Sequence, residues 1–311
     1  MNLQAGYPKL HLGTAPDSWG VWMPTGDPLQ TPWQRYLDEV VEAGYRYIEL
    51  GPFGYLPTDP GIVRDECAKR GLTLTGGTVS VALHKGKEAL ATAKRDCDAE
   101  MRIIGPNGAR HVVIIPEGYT DLDGNLTASP TLTNDEWDDL ISCMSELGSY
   151  LAEEHGATLV FHTHADSHVG TQEEIECLLD GTDPAVVQLC LDTGHIEYCG
   201  ADNLKLIRDY PDRIQYVHLK QVDTAVRARA RRERLGFAPA VRLGAMVEPP
   251  LGEPDMPPLI AALAALDRDL FCIVEQDMYP CDFDAPLPIA TRTAQYFKTC
   301  GLTAGRPRAR A

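Results

Sequence analysis

Residues 186–191 read VVQLCL, an apolar run that stops at Asp192-Thr193-Gly194-His195. Such a run predicts a buried strand. A carboxylate ending a buried parallel strand is costly to desolvate unless a cation or a hydrogen-bonding partner compensates it. What Asp192 faces is therefore the main question the sequence poses. Four other apolar runs end the same way: Tyr47-Ile48-Glu49, Val160-Phe161-His162-Thr163-His164, Tyr216-Val217-His218-Leu219-Lys220 and Ile273-Val274-Glu275-Gln276-Asp277. Parallel strands with these ends would gather acids, imidazoles and a lysine at one shared mouth.

The rest of the chain alternates strands with helices. Residues 10–14 form a short strand, followed by the polar loop Ala15-Pro16-Asp17-Ser18-Trp19-Gly20; Thr31-Pro32-Trp33-Gln34 predicts a capping box opening a helix that stops at Gly44. Residues 45–50, 72–78 and 111–116 are the next strands, with helices over about 62–71 and 87–104 between them. Two more capping boxes begin at Thr133 and Thr171, and Trp137, Leu140, Ile141, Met144, Leu147 and Leu151 share one helical stripe that reads as core. Strands over 158–162, 214–218 and 270–275 complete a count of eight. Eight strand–helix units with right-handed crossovers predict a single (β/α)8 barrel over 1–311, its site at the C-terminal strand ends. No G-x-G-x-x-G follows the first strand, which disfavours a doubly wound open sheet.

Composition limits what the mouth can bind. Against 45 acidic residues stand 28 basic ones, a net charge of −17, which argues against nucleic-acid and anionic-membrane partners and for a small molecule. Nine cysteines without a C-x-x-C pair read as reduced thiols of a cytoplasmic protein. Neither a signal peptide nor an apolar span of about 18 residues is visible. Between strands seven and eight lies an insertion, about 222–251, with Arg227, Arg229, Arg231, Arg232 and Arg234. It reads as a solvated helix face, with a lid or a subunit contact in a homo-oligomer as alternatives. Pro249-Pro250, Gly252 and Pro254 suggest a rigid loop returning over the site.

Asp192, His218 and Glu275 offer two carboxylates and an imidazole, with His162 or His164 as a fourth ligand. This mixed oxygen and nitrogen set suits Mn²⁺ or Co²⁺ first, with Mg²⁺, Fe²⁺ and Zn²⁺ as alternatives. His162 and His164 would share a face of a continuing strand, so periodicity alone does not choose between them. The working assignment places His164 on the metal and His162 against substrate.

The stretches GTAPDSWGVW (13–22), TPWQRYLDEVVEAGYRYIELGPFGYLPTD (31–59), LDTGH (191–195), VHLK (217–220) and VEQD (274–277) resemble the inosose dehydratase branch of the xylose-isomerase-like barrels. The likeness runs from the first strand to the last. It implies a divalent-metal enzyme of polyhydroxylated ketones, with Asp192, His218 and Glu275 at ligand positions. The family's usual strand-five glutamate is replaced by His162-Thr163-His164, its His-Leu-Lys-Asp ends in Gln221, and its Pro-Gly-Asp-Gly loop is altered around 249–253. The expected activity is dehydration of a keto-cyclitol such as keto-myo-inositol through an enediolate, with ketose isomerase or epimerase as the alternative and an apurinic endonuclease further off. Glu49 and Lys220 are the expected proton-transfer groups, and His195 is a partner of Asp192 or a proton carrier. Asp17 and Trp19 are assigned to substrate contact.

Overall fold

Parallel pairing carries each apolar run to the next until the last meets the first. The computed structural model describes residues 6–24 and 26–302. The single-domain assignment over 1–311 therefore includes positions 1–5, 25 and 303–311, which lie outside the described residues. The chain opens with β1 (Leu10–Thr14), α1 (Trp33–Ala43), β2 (Tyr47–Glu49), α2 (Pro60–Arg70), β3 (Thr73–Val81), α3 (Lys87–Ile104) and β4 (His111–Pro116). It continues with α4 (Asn134–His155), β5 (Thr158–His162), α5 (Gln172–Gly181), β6 (Val187–Asp192), α6 (Thr193–Cys199), α7 (Asn203–Asp209) and β7 (Ile214–Leu219). Then come β8 (Gln221–Val222), α8 (Thr224–Glu233), α9 (Phe237–Arg242) and β9 (Met246–Val247), before α10 (Met256–Ala265), β10 (Leu270–Val274) and α11 (Pro286–Thr299).

Strands β1 to β7 and β10 close into a parallel barrel, the seam running from Leu10 opposite Leu270 to Thr14 opposite Val274. Its interior is filled by Val113, Val160, Cys190, Tyr216 and Ile273, and is a packed core rather than a pore. A second apolar layer, including Leu37, Leu147, Leu189 and Phe297, lies between strands and helices. Leu140, Met144, Leu147 and Leu151 are buried as the α4 stripe predicts, and Trp137 and Ile141 pack partly buried beside them. The nine cysteines are all free thiols. No helix among the described residues is long and apolar enough to cross a membrane.

The predicted capping boxes at Thr133 and Thr171 form, each hydroxyl accepting the N3 amide while the N3 glutamate returns to the cap amide. The one at Thr31 does not. Helix α1 is capped by Pro32, and Gln34 is exposed. The buried Thr31 hydroxyl has no partner, while its carbonyl accepts the Tyr55 hydroxyl at 2.8 Å.

The segment between β7 and α10 forms regular structure. β8 and β9 pair antiparallel, and Arg227 and Arg231 of α8 reach the Glu197 carboxylate and the Tyr198 carbonyl on α6. The segment from Pro249 to Pro254, expected over the site, instead packs along β8. Glu253 pairs with Val222 through its backbone, and Gln221 binds the Pro254 carbonyl at 2.7 Å and the Gly252 amide at 3.1 Å.

Candidate metal centre

Asp192 serves two masters. One oxygen, Oδ1, accepts the amides of Gly194 at 2.9 Å and His195 at 2.7 Å, capping α6. The other, Oδ2, lies 3.0 Å from His162 Nε2 and 3.6 Å from both His218 Nδ1 and Lys220 Nζ. Gly194 makes room for that lysine, since a Cβ there would meet Lys220 Cβ and Cγ at 2.6 Å.

His162, Asp192, His218 and Glu275 bring one ligand atom each to within 4.8 Å of one another, all four buried. The nitrogen His218 Nδ1 faces Glu275 Oε2 at 3.0 Å and Asp192 Oδ2 at 3.6 Å, yet makes no aligned hydrogen bond. Its other nitrogen, Nε2, is taken by Glu49 Oε2 at 3.0 Å, and Glu49 Oε1 accepts the Thr78 hydroxyl at 2.7 Å. A carboxylate behind an imidazole whose far nitrogen points at two further carboxylates is how a metal-bound histidine is oriented.

The charge account agrees. Four carboxyl groups, of Asp17, Asp192, Glu275 and Asp277, lie within 3.7 Å of the Lys220 ammonium, and Glu49 adds a fifth against His218. Burial opposes ionisation of Glu275, but His218 and Lys220 outweigh it and hold the carboxyl at about 2. Burial likewise opposes a charged His218, but Cys190, then Glu275 and Glu49, drive its pKa well above the usual imidazole range. The protein environment thus stabilises positive charge at this point, and the mixed imidazole and carboxylate donors fit a divalent cation.

Strand β5 ends at His162, so the period-two argument that coupled it to His164 does not apply. His164, the working choice for the metal, lies outside the four-residue group. Its Nδ1–H donates to the Ala165 carbonyl at 2.6 Å, leaving Nε2 as an acceptor. The Ala165 amide donates to His195 Nδ1 at 3.1 Å, so neutral His195 carries its proton on Nε2, 3.4 Å from Lys220 Nζ. One residue, Ala165, therefore sets two rings, 4.0 Å apart, in opposite tautomers through its carbonyl and its amide. Burial and the neighbouring His162 lower the His164 pKa to about 4.

These groups line a cavity of about 630 Å³ above the ligand cluster. Asp17 reaches into it with Oδ2 buried and unpartnered, and burial and then Glu275 raise its pKa well above the carboxylate range. Trp19, expected beside it, points away. The 3₁₀ turn Pro16–Trp19 rotates it into the core, where its indole N–H binds Glu39 at 2.8 Å and its ring meets Tyr36 edge-on at 5.1 Å. Trp22 lines the cavity instead, with its indole N–H on Asp277 Oδ1 at 3.1 Å. Asp277 Oδ2 binds Lys220 at 2.9 Å; its position two residues beyond Glu275 was the available signal for it.

The xylose isomerase-like TIM barrel family model matches residues 37–300. An inosose dehydratase of Geobacillus thermodenitrificans is 31% identical over 306 residues, 94% of this chain and 98% of the relative. Among solved structures, the probable 3-DHS dehydratase AsbF from Bacillus anthracis superposes with a TM-score of 0.68 at 14% identity, covering 93% of this chain and 98% of that one. The IolI protein with a bound zinc atom gives 0.65 at 17% identity, covering 93% and 96%. The chain belongs to the xylose isomerase-like TIM barrel family. Within that family it is an inosose dehydratase-like enzyme of the lyase class.

Proposed function

We propose that the protein is a divalent-metal-dependent dehydratase of a keto-cyclitol such as keto-myo-inositol. The observation that carries this reading is the buried four-ligand group lying beside two histidines of opposite tautomer. A divalent ion held by His162, Asp192, His218 and Glu275 would supply Lewis acidity toward the substrate carbonyl and its neighbouring hydroxyl oxygen. The donor set favours Mn²⁺ or Co²⁺, and the zinc of the related IolI structure keeps Zn²⁺ among the candidates.

The chain's own groups divide the proton work. Asp17 Oδ2 accepts a substrate hydroxyl, which fixes the ring. His164 Nε2 takes the proton from the α-carbon, the C–H pair forming the double bond of an enolate, and the enolate then reforms its carbonyl as its electrons build the new Cα–Cβ double bond and the β C–O bond breaks. His195 Nε2–H protonates the departing hydroxide to water, and Lys220 Nζ, 3.4 Å away, restores that proton. Glu49 holds His218 from behind rather than meeting substrate. The free thiols support a reducing cytoplasm as the place of action.

The test is incubation of metal-loaded protein with keto-myo-inositol, followed by chromatography and absorbance of the products. Loss of one water to give a diketone is expected. Isomer exchange without water loss would move the protein to the epimerases.

A further inference from the structure

Above the ligand group the cavity wall becomes apolar. Phe237, at the start of α9, is 4% exposed, with its ring centroid 4.9 Å from His195 and 5.3 Å from His164. Trp22 lies beside it, the two rings within 14° of parallel at 6.5 Å, and Tyr279 stacks behind Trp22 at 5.5 Å. Both Trp22 and Phe237 line the cavity.

Phe237 is held by a residue from another loop. Its amide donates to Asp166 Oδ2 at 2.6 Å, and the same oxygen accepts the Thr120 hydroxyl at 2.8 Å. The Asp166 carbonyl accepts the Tyr119 amide at 2.8 Å. Asp166 sits at φ 56°, a left-handed conformation that aspartate tolerates better than most residues. Next to Phe237, Gly236 meets Gly124 backbone to backbone; a Cβ on Gly236 would lie 2.6 Å from Gly124 Cα. Three loops of the barrel mouth thus interlock around one carboxylate, which fixes the pose of the Phe237 ring.

We infer that Trp22 and Phe237 form a specificity wall for the C–H face of a six-membered polyhydroxylated ring, with Asp166 as the residue that positions Phe237. The inference rests on the keto-cyclitol reading above and extends it to the discrimination of cyclic from open-chain substrates. A ring with equatorial hydroxyls carries its axial hydrogens as a rigid apolar disc while its oxygens radiate outward. Flat aromatic rings match such a disc, and the polar floor of Asp17 and Lys220 takes the oxygens. An open-chain polyol has no rigid apolar face and must lose rotational freedom to imitate one.

The test uses ligands that carry no ketone, so that binding is read without turnover. Metal-loaded protein is titrated calorimetrically with myo-inositol and with the linear hexitol mannitol. Wild type should bind the cyclitol about tenfold or more tightly than the hexitol, the scale of one well-placed aromatic contact. Phe237→Leu keeps an apolar side chain in the small core shared with Val222, Val241 and Met246, and should reduce the preference to within about threefold. Asp166→Asn should weaken cyclitol binding while leaving the hexitol unchanged. A preference that persists in Phe237→Leu, an unaltered Asp166→Asn variant or a wild type without preference would each overturn the wall. If the preference holds and keto-inositol is not dehydrated, the reaction proposed above falls and the wall stands. If keto-inositol is dehydrated without any preference, the reverse is true.

Discussion

Glu49 Oε2 holds His218 at Nε2 across 3.0 Å, and this turns Nδ1 toward Asp192 and Glu275. The carboxylate expected from sequence as a proton-transfer group thus sits behind a candidate ligand. The two roles separate under one substitution. Glu49→Gln should lower metal affinity about 10- to 100-fold, as for other partners of metal-bound histidines, with kcat returning near wild type at saturating metal. Activity that stays about 100-fold down at full occupancy would restore the proton-transfer role.

The ligand group predicts the metal content of individual variants. His162→Ala, Asp192→Asn and Glu275→Gln should each lose the bound ion that wild type retains after desalting, whereas His164→Gln should keep it. Added Mn²⁺ or Co²⁺ should raise the Tm of wild type and not of the Asp192 variant, because binding to the native state alone stabilises it. Elemental analysis and thermal melts decide this, and a His164 variant empty of metal would reinstate that residue as the ligand.

What the sequence revealed and what it hid follow from the reach of each signal. Continuous apolar runs such as 111–116 leave little choice but a buried strand, and their polar ends named Asp192, His218 and Glu275 directly. The choice between His162 and His164 depended on where β5 stops, ahead of the turn at 165–166, a boundary invisible to periodicity. Trp19 and Trp22 differ by three residues in one polar loop, and only the 3₁₀ turn decides which one meets the cavity. Asp166 and Phe237, 71 residues apart in the chain, come together solely through the closed barrel, so no local pattern could pair them.

The opposite tautomers of His164 and His195 predict that proton abstraction and elimination can be separated. His195→Gln should keep the metal and still exchange the substrate α-proton with solvent deuterium, while water release falls about 100-fold or more. His164→Gln should lose exchange and elimination together. Deuterium incorporation followed by NMR, alongside metal content, reads both. Equal loss of exchange in the His195 variant would remove the division of labour.

Glu100 gives a prediction of stability rather than of turnover. It is fully buried on α3 against Gly77, and neither carboxylate oxygen has a hydrogen-bond partner. Burial, then the charge of Glu49, raise its pKa from 4.5 to about 8. In the unfolded chain Glu100 loses its proton near the ordinary glutamate value, whereas the folded protein keeps it to about 8. The folded state binds more protons across that interval, so stability falls as pH rises through it and levels off above. Glu100→Gln keeps the shape of the side chain and removes the titration. The variant should therefore match wild type near pH 4.5 and exceed it increasingly up to pH 8, by on the order of 3 kcal/mol at pH 7. Urea unfolding at a series of pH values measures the difference directly. A constant offset between the two proteins across the range would mean that Glu100 ionises in the folded state as freely as in water.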